Sequence, residues 1–202
     1  MIIEVDDYKN KIPGYDPNKS EYTHSESGRL ADIDFKSALQ SKKYKRIIFM
    51  AGGTASGKTE YAYSYLNKKD QLVYDGTLKD YEGFRIKLQK IERYDKNKSR
   101  IKIVAIVPLS VEKSIEAFLG RDRKMPMFVF FETHIKSLVT VAKILEETSH
   151  RVEIYLSYVK DETNKLNYAR LKTKNRLSVA KLLKVSANLL IDAAKKNNFE
   201  IN

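Results

Sequence analysis

The stretch that most constrains the fold is a glycine-rich octapeptide, Gly52-Gly53-Thr54-Ala55-Ser56-Gly57-Lys58-Thr59. The apolar residues 47–51 precede it, and apolar residues at helical spacing follow it. A strand, a glycine-rich turn, Gly-Lys-Thr and a helix form the P-loop pattern in the context that the motif requires. Glycines let the backbone approach phosphate oxygens, and the turn amides point at the anion. The pattern therefore predicts a site for a nucleoside triphosphate.

Two side chains of the octapeptide have expected contacts of their own. Lys58 is expected to reach the β- and γ-phosphates of ATP or GTP, and the Thr59 hydroxyl to bind Mg²⁺. Residues 52–57 are expected to bind phosphate through the backbone. The competing interpretation is a helix that begins after a flexible turn and binds no ligand.

The chain alternates between two hydrophobic patterns. Apolar strand-like runs lie at residues 45–51, 71–74, 101–107 and 152–159, and helical patterns separate them. The connections are too long for hairpins, so the sequence predicts an α/β fold. A parallel sheet with helices on both faces is expected, as in the three-layer P-loop NTPases. The ligand is then expected at the carboxyl ends of the strands.

Composition narrows the class of protein. The 38 Lys and Arg residues exceed the 26 Asp and Glu residues, for a net charge of +12. Such an excess suits nucleic acid, anionic small substrates or a solvated lysine-rich surface, so a nucleic-acid partner is not excluded. No apolar run approaches the roughly 18 residues of a membrane span, and the first residues lack a basic signal-peptide start. With no cysteine in the chain, we expect a cytoplasmic protein without a membrane partner.

Asp75 ends the apolar run at residues 71–74. A P-loop enzyme places a carboxylate at such a position, where it holds Mg²⁺ or takes a proton from an acceptor hydroxyl. The alternative is structural, with Asp75 and Gly76 in a turn and Thr77 capping the next helix. Both interpretations can hold together.

A cationic loop follows the short helical pattern at residues 111–119, and it contains Arg121, Arg123 and Lys124. Phosphoryl transfer needs cations over the migrating phosphate, and a mobile arginine loop supplies them when it closes. A solvated charged loop is the alternative. Arg170 and Arg176, further along the chain, are candidates for contacts to a base or phosphate, or simply surface residues.

These residues together resemble the zeta-toxin family of P-loop kinases. The resemblance covers about residues 45–148 and comprises the octapeptide, Asp75-Gly76-Thr77-Leu78, the strand at 101–107, and the arginine loop with Met125-Pro126 before Glu132-Thr133-His134. It implies a kinase domain at residues 45–202 preceded by an N-terminal extension, residues 1–44, with one helix.

The resemblance implies phosphorylation of a hydroxyl by ATP or GTP, in known toxins on UDP-N-acetylglucosamine, and an antitoxin protein as a candidate partner. Asp75 matches the Glu of the family's Glu-Gly-Thr motif and Thr77 its threonine, and both positions help bind the sugar nucleotide. Arg121 matches a lid arginine, and Arg123 or Lys124 the second cation.

The chain departs from the family in one respect. Only 15 residues separate Thr59 from Asp75, so the family's insert, which carries the aspartate base, cannot fit. Either Asp75 takes the base or metal role, or the N-terminal segment, for which we consider residues 13–34, supplies a carboxylate. A polynucleotide 5′-hydroxyl kinase and a nucleotide-binding module without catalysis are the alternative functions.

Overall fold

A six-stranded sheet forms the centre of the molecule, with strand order β1-β3-β2-β4-β5-β6. The structure is a computed structural model that describes residues 1–41, 43–95, 100–121, 125–160, 163, 165–172 and 175–199. The strands are β1 (Ile2–Glu4), β2 (Arg46–Ala51), β3 (Gln71–Asp75), β4 (Arg100–Pro108), β5 (Arg151–Lys160) and β6 (Lys165–Arg170). The first five run parallel, and β6 runs antiparallel to β5.

Helices connect the strands. They are α1 (His24–Gln40), α2 (Lys58–Tyr61), α3 (Tyr81–Tyr94), α4 (Val111–Leu119), α5 (Met127–Glu147) and α6 (Arg176–Lys196). A π-helical turn, Ala62–Leu66, continues α2, and two 3₁₀ segments, Val5–Lys11 and Pro17–Thr23, precede α1. The four predicted strands are found, with ends shifted by a few residues, and helices lie between them as predicted. The helical segment after the octapeptide ends at Leu66.

Helices lie on both faces of the sheet, as predicted, but unequally. Side chains alternate between faces along a strand, and in β2 Phe49 belongs to the large core cluster while Ile48 and Met50 belong to a smaller one. Residues of α1, α3, α5 and α6 fill the large cluster. The small cluster is covered by residues 58–66. Right-handed crossovers explain this, because β2 to β3 runs one way along the sheet while β3 to β4 and β4 to β5 run the other.

Both edge strands were absent from the sequence prediction. β1 pairs in parallel with β3, with Glu4 opposite Asp75. β6 pairs with β5 in the antiparallel sense, with Ser157 opposite Tyr168. The expectation of a wholly parallel sheet is therefore wrong at β6. β1 also makes part of the segment 1–44 a strand of the central sheet.

None of the described helices has the length and apolar character needed to cross a membrane.

Candidate functional site

The glycine-rich loop lies between the end of β2 and the start of α2. Its backbone takes positive φ angles at Gly52 (138°), Ala55 (61°) and Gly57 (85°). A Cβ on Gly52 would lie 2.4 Å from the carbonyl oxygen of Ile106, so that position requires glycine. The loop is a folded turn against the sheet, not an extended segment.

Four successive carbonyl oxygens of the loop accept hydrogen bonds from side chains of other elements. The four donors are His134 Nε2 to Thr54 (2.9 Å), Ser114 Oγ to Ala55 (3.0 Å), Ser157 Oγ to Ser56 (2.8 Å) and Tyr168 Oη to Gly57 (2.8 Å). In a trans peptide the N–H points away from the C=O of the same unit. The amides of residues 55–58 are therefore turned to the opposite side of the loop.

Lys58 lies on the inner side of the loop, where its Nζ donates to Gly53 O across 2.8 Å. Burial lowers the pKa of Lys58, the Asp75 carboxylate opposes that shift, and the positive charge of Arg121 adds to it. The structure thus brings Arg121 within electrostatic range of Lys58. A polyphosphate oxygen would be a stronger acceptor for this ammonium group than the carbonyl that it now contacts.

Two carboxylates face the hydroxyl of Thr59. Thr59 Oγ1 donates to Asp75 Oδ2 across 2.7 Å and lies 3.4 Å from Glu4 Oε1. Asp75 is only 4% exposed, and burial raises its pKa, although Lys58 and the Thr59 bond oppose the shift. Burial also raises the pKa of Glu4, to about 7, with help from the charges of Asp7, Asp75 and Asp6. Because one hydroxyl proton serves one acceptor well, Glu4 has capacity left for another donor.

The oxygen donors of Thr59, Asp75 and Glu4 suit Mg²⁺. This ion takes one or two carboxylates from protein and completes its shell with substrate phosphates and water. Within the described ranges, no group of three or more His, Cys, Asp or Glu residues gathers to hold a metal by itself. Two carboxylates and one hydroxyl leave coordination positions for phosphate oxygens and water, so the donor set fits a cation that arrives with a phosphate.

The remaining residues that the sequence predicts for the site are Thr77, Arg123 and Lys124. Gly52 N donates to the carbonyl of Thr77 across 3.3 Å, so Thr77 lies beside the loop. The cap of α3 is Asp80, whose side chain accepts from Glu82 N and Gly83 N, so the capping role considered for Thr77 is wrong. Arg123 and Lys124 lie outside the described residues.

Arg170 ends β6, opposite Tyr155 of β5, and Arg176 begins α6. Arg176 donates to the carbonyls of Ile144, Leu145, Thr148 and His150, the last turn of α5 and the residues after it. Arg170 lies 3.5 Å from Glu153. Arg176 therefore holds the end of α5 to the start of α6, and Arg170 pairs with a carboxylate of β5.

Sequence reasoning missed several site residues. Glu4, Ser114, Ser157 and Tyr168 carry no local motif, and the sequence assigns no role to Thr133 or His134, although both belong to the stretch that resembles the zeta-toxin family. Thr133 Oγ1 accepts from Thr54 N across 3.1 Å, beside the His134 contact. The helical spacing of α5, which buries residues 133 and 134, is a second signal for these two residues.

Protein-family models give no match to this chain, and no curated protein is significantly similar to it in sequence. The class that the fold and site define is an α/β protein with a glycine-rich loop at the carboxyl end of a mostly parallel sheet.

Proposed function

We propose that this chain is a P-loop phosphotransferase that transfers the γ-phosphate of ATP or GTP to a hydroxyl of a small molecule. The observation that carries the proposal is the loop at residues 52–59, in which side chains of four surrounding elements bind four successive carbonyls. The amides of the same peptide units therefore point away from those contacts. Lys58 lies on the amide side. Donors that converge in this way are the main requirement for polyphosphate binding.

Phosphate binding follows from the backbone. The amides of residues 55–58 face the same side of the loop, and the first amides of α2 have no acceptor within the helix. Lys58 adds a full positive charge among these partial charges. The proposal includes the three-layer P-loop NTPase fold. The position of the loop between a central parallel strand and a helix supports that assignment.

Thr59 and Asp75 are the residues that would hold Mg²⁺, and the ion when bound neutralises charge on the phosphate oxygens. The chain prepares this position itself. The Thr59–Asp75 hydrogen bond of 2.7 Å fixes the hydroxyl at the start of α2 against the end of β3. Both groups are therefore oriented before any ligand arrives.

Transfer to an acceptor needs groups beyond those that bind the nucleotide. The Glu4 carboxylate can accept a hydrogen bond from the hydroxyl of the substrate that is phosphorylated. In the zeta-toxin family that role belongs to the aspartate base of the insert, which this chain lacks. Arg121 contributes positive charge near Lys58, where charge on the transferring phosphoryl group would be stabilised. Asp75 and Thr77 are the acceptor-binding residues that the zeta-toxin resemblance implies, with a nucleotide sugar such as UDP-N-acetylglucosamine as one candidate acceptor.

The +12 net charge favours one rival acceptor, a polynucleotide 5′-hydroxyl. The charge near the loop argues against it, because Asp6, Asp7 and Asp75 all lie close enough to raise the pKa of Glu4. Carboxylates gathered around Glu4 would repel the many phosphates of a polynucleotide more than the single diphosphate of a nucleotide sugar. Salt-sensitive oligonucleotide binding with label transfer to the 5′ end would favour the rival.

Calorimetric titration with Mg-ATP and Mg-GTP tests the proposal first. Lys58→Ala is expected to weaken binding at least about tenfold, the loss of one charge-assisted hydrogen bond. Lys68→Ala, at an exposed position, is the matched control and should bind as wild type. Incubation with γ-labelled ATP and a cytosolic metabolite extract then identifies the acceptor. Binding that is equal in wild type and Lys58→Ala would refute the proposal, and binding without label transfer would leave a nucleotide-binding module.

A further inference from the structure

Two of the four side chains that hold the loop carbonyls form a cross-strand pair. Ser157 of β5 and Tyr168 of β6 lie directly opposite each other in the antiparallel register. Side chains at such positions lie on the same face and about 5 Å apart. Ser157 Oγ donates to Ser56 O and Tyr168 Oη to Gly57 O, each across 2.8 Å. Neighbouring side chains thus bind consecutive carbonyls.

We propose that the Ser157–Tyr168 pair is a positioning pair, which fixes the direction of the Gly57 and Lys58 amides toward the bound polyphosphate. The inference rests on the proposed function for its ligand. It gives the antiparallel edge strand a role in the site, because β6 is what brings the Tyr168 hydroxyl to the loop. Neither residue is expected to touch the reacting atoms.

The peptide geometry links these carbonyls to the phosphate side. The Ser56 carbonyl and the Gly57 amide belong to one rigid unit, as do the Gly57 carbonyl and the Lys58 amide. Holding each oxygen therefore sets the direction of each N–H. Gly57 has a φ of 85°, which glycine adopts as readily as a negative φ, so the contacts of its carbonyl help to select this conformation.

The two hydroxyls are themselves held in place. Ser157 is 4% exposed. The Tyr168 ring packs edge-on against Tyr61 of α2, with 4.9 Å between ring centroids. Burial raises the pKa of Tyr168, so its hydroxyl keeps its proton and remains a donor at neutral pH. Tyr61 N also donates to Gly57 O, across 3.1 Å, so a residue of α2 and a residue of β6 donate to the same oxygen.

The test uses Tyr168→Phe and Ser157→Ala, each of which removes one hydroxyl. Tyr155→Phe is the matched control, since the Tyr155 ring contacts the same Tyr61 at 4.7 Å while its hydroxyl donates to Glu153 across 3.3 Å. Each test variant is expected to raise the Kd for Mg-ATP about three- to tenfold, the usual range for one neutral hydrogen bond. The control should stay within about twofold of wild type.

A second measurement does not need the ligand. In ligand-free protein, ¹⁵N relaxation and chemical shifts of the Gly57 and Lys58 amides should change in Tyr168→Phe and Ser157→Ala but not in Tyr155→Phe. Thermal unfolding is recorded for all three variants, because a purely structural role would lower stability alike in Tyr168→Phe and Tyr155→Phe and leave the loop amides unchanged.

The outcomes separate the two proposals. Weaker Mg-ATP binding with altered loop amides supports the positioning pair. Unaltered amides overturn it, whether or not Mg-ATP binds. Wild-type protein that binds no polyphosphate refutes the proposed function, and altered amides in that case still support the pair as the device that orients the loop.

Discussion

Thr59 Oγ1 donates a 2.7 Å hydrogen bond to Asp75 Oδ2, which joins the first turn of α2 to the end of β3. The bond connects the phosphate-facing loop to the strand that carries the buried carboxylate. Glu4 lies opposite Asp75 in the pairing of β1 with β3. The site is therefore assembled from three elements that are distant in sequence, and each carboxylate can be tested separately.

Asp75→Asn should separate metal-dependent from metal-independent binding. The amide keeps the size of the side chain and an oxygen for Thr59 but removes the negative charge that a hard cation requires. We expect the affinity for Mg-ATP to fall at least about tenfold, while the affinity for ATP in EDTA changes less than about threefold. Calorimetry with and without Mg²⁺ measures both. Asp70→Asn, one residue before the start of β3, is the control, and an equal loss with and without Mg²⁺ would contradict a metal role.

Glu4→Gln should affect turnover more than binding. The amide cannot accept a proton, and groups that do so commonly contribute about 10²-fold or more to a rate. The Kd for Mg-ATP should change less than about threefold, because Asp75 keeps the bond to Thr59. Steady-state kinetics with the identified acceptor measure this split. Glu92→Gln, the same substitution at an exposed position of α3, is the control.

Two results would contradict this role for Glu4. Unchanged turnover would exclude Glu4 from the reaction. A loss of Mg²⁺-dependent binding as large as in Asp75→Asn would instead make Glu4 a metal ligand.

Gly53→Ala should destabilise the protein because the added Cβ would clash with the His134 ring. A Cβ at Gly53 would lie 2.0 Å from Cδ2 of the buried His134 ring, and the ring cannot withdraw without losing its bond to Thr54 O. Overpacking of this kind lowers the free energy of unfolding by about 1–3 kcal/mol. Urea denaturation measures the change.

Gly28→Ala is the matched control for that substitution. Gly28 lies within α1 and has no neighbouring atom within 4 Å of an added Cβ. Alanine should therefore raise the free energy of unfolding by about 0.5–1 kcal/mol. Equal effects of the two substitutions would show that the His134 contact does not constrain the loop.

The sequence predicts the site residues that belong to a recognisable local pattern, namely the octapeptide and Asp75. The octapeptide follows a buried strand and begins a helix, and Asp75 ends the next apolar run, so each can be located from its neighbours. Their meeting at Thr59 follows from the expected pairing of parallel strands. The spacing of apolar residues likewise predicts α5 and α6, because long amphipathic helices carry many repeats of one pattern.

The part that sequence misses depends on pairing between distant segments. β1 has three residues, too few to show alternation, so Glu4 has no signature despite lying 3.4 Å from Thr59. The hypothesis that residues 13–34 supply the extra carboxylate is not supported, since the carboxylate beside Thr59 comes from residue 4 and α1 packs into the core through the fully buried Ala31. β6 is mostly exposed, so its polar sequence resembles a loop.

His134→Gln should remove a pH dependence from folding. Burial lowers the pKa of His134 to about 4, while an unfolded histidine titrates near 6.5. Below about pH 6.5 the unfolded chain binds a proton that the folded protein does not, so the free energy of unfolding falls as the pH falls and stops falling from this group near pH 4. Between pH 6.5 and pH 4 the free energy of unfolding falls by about 3 kcal/mol because of this group. Glutamine can still donate to Thr54 O but cannot titrate, so the difference in unfolding free energy between wild type and variant should shrink by this amount from pH 7 to 4. Urea denaturation at several pH values measures it, and parallel curves for the two proteins would mean that His134 is not held neutral against the loop.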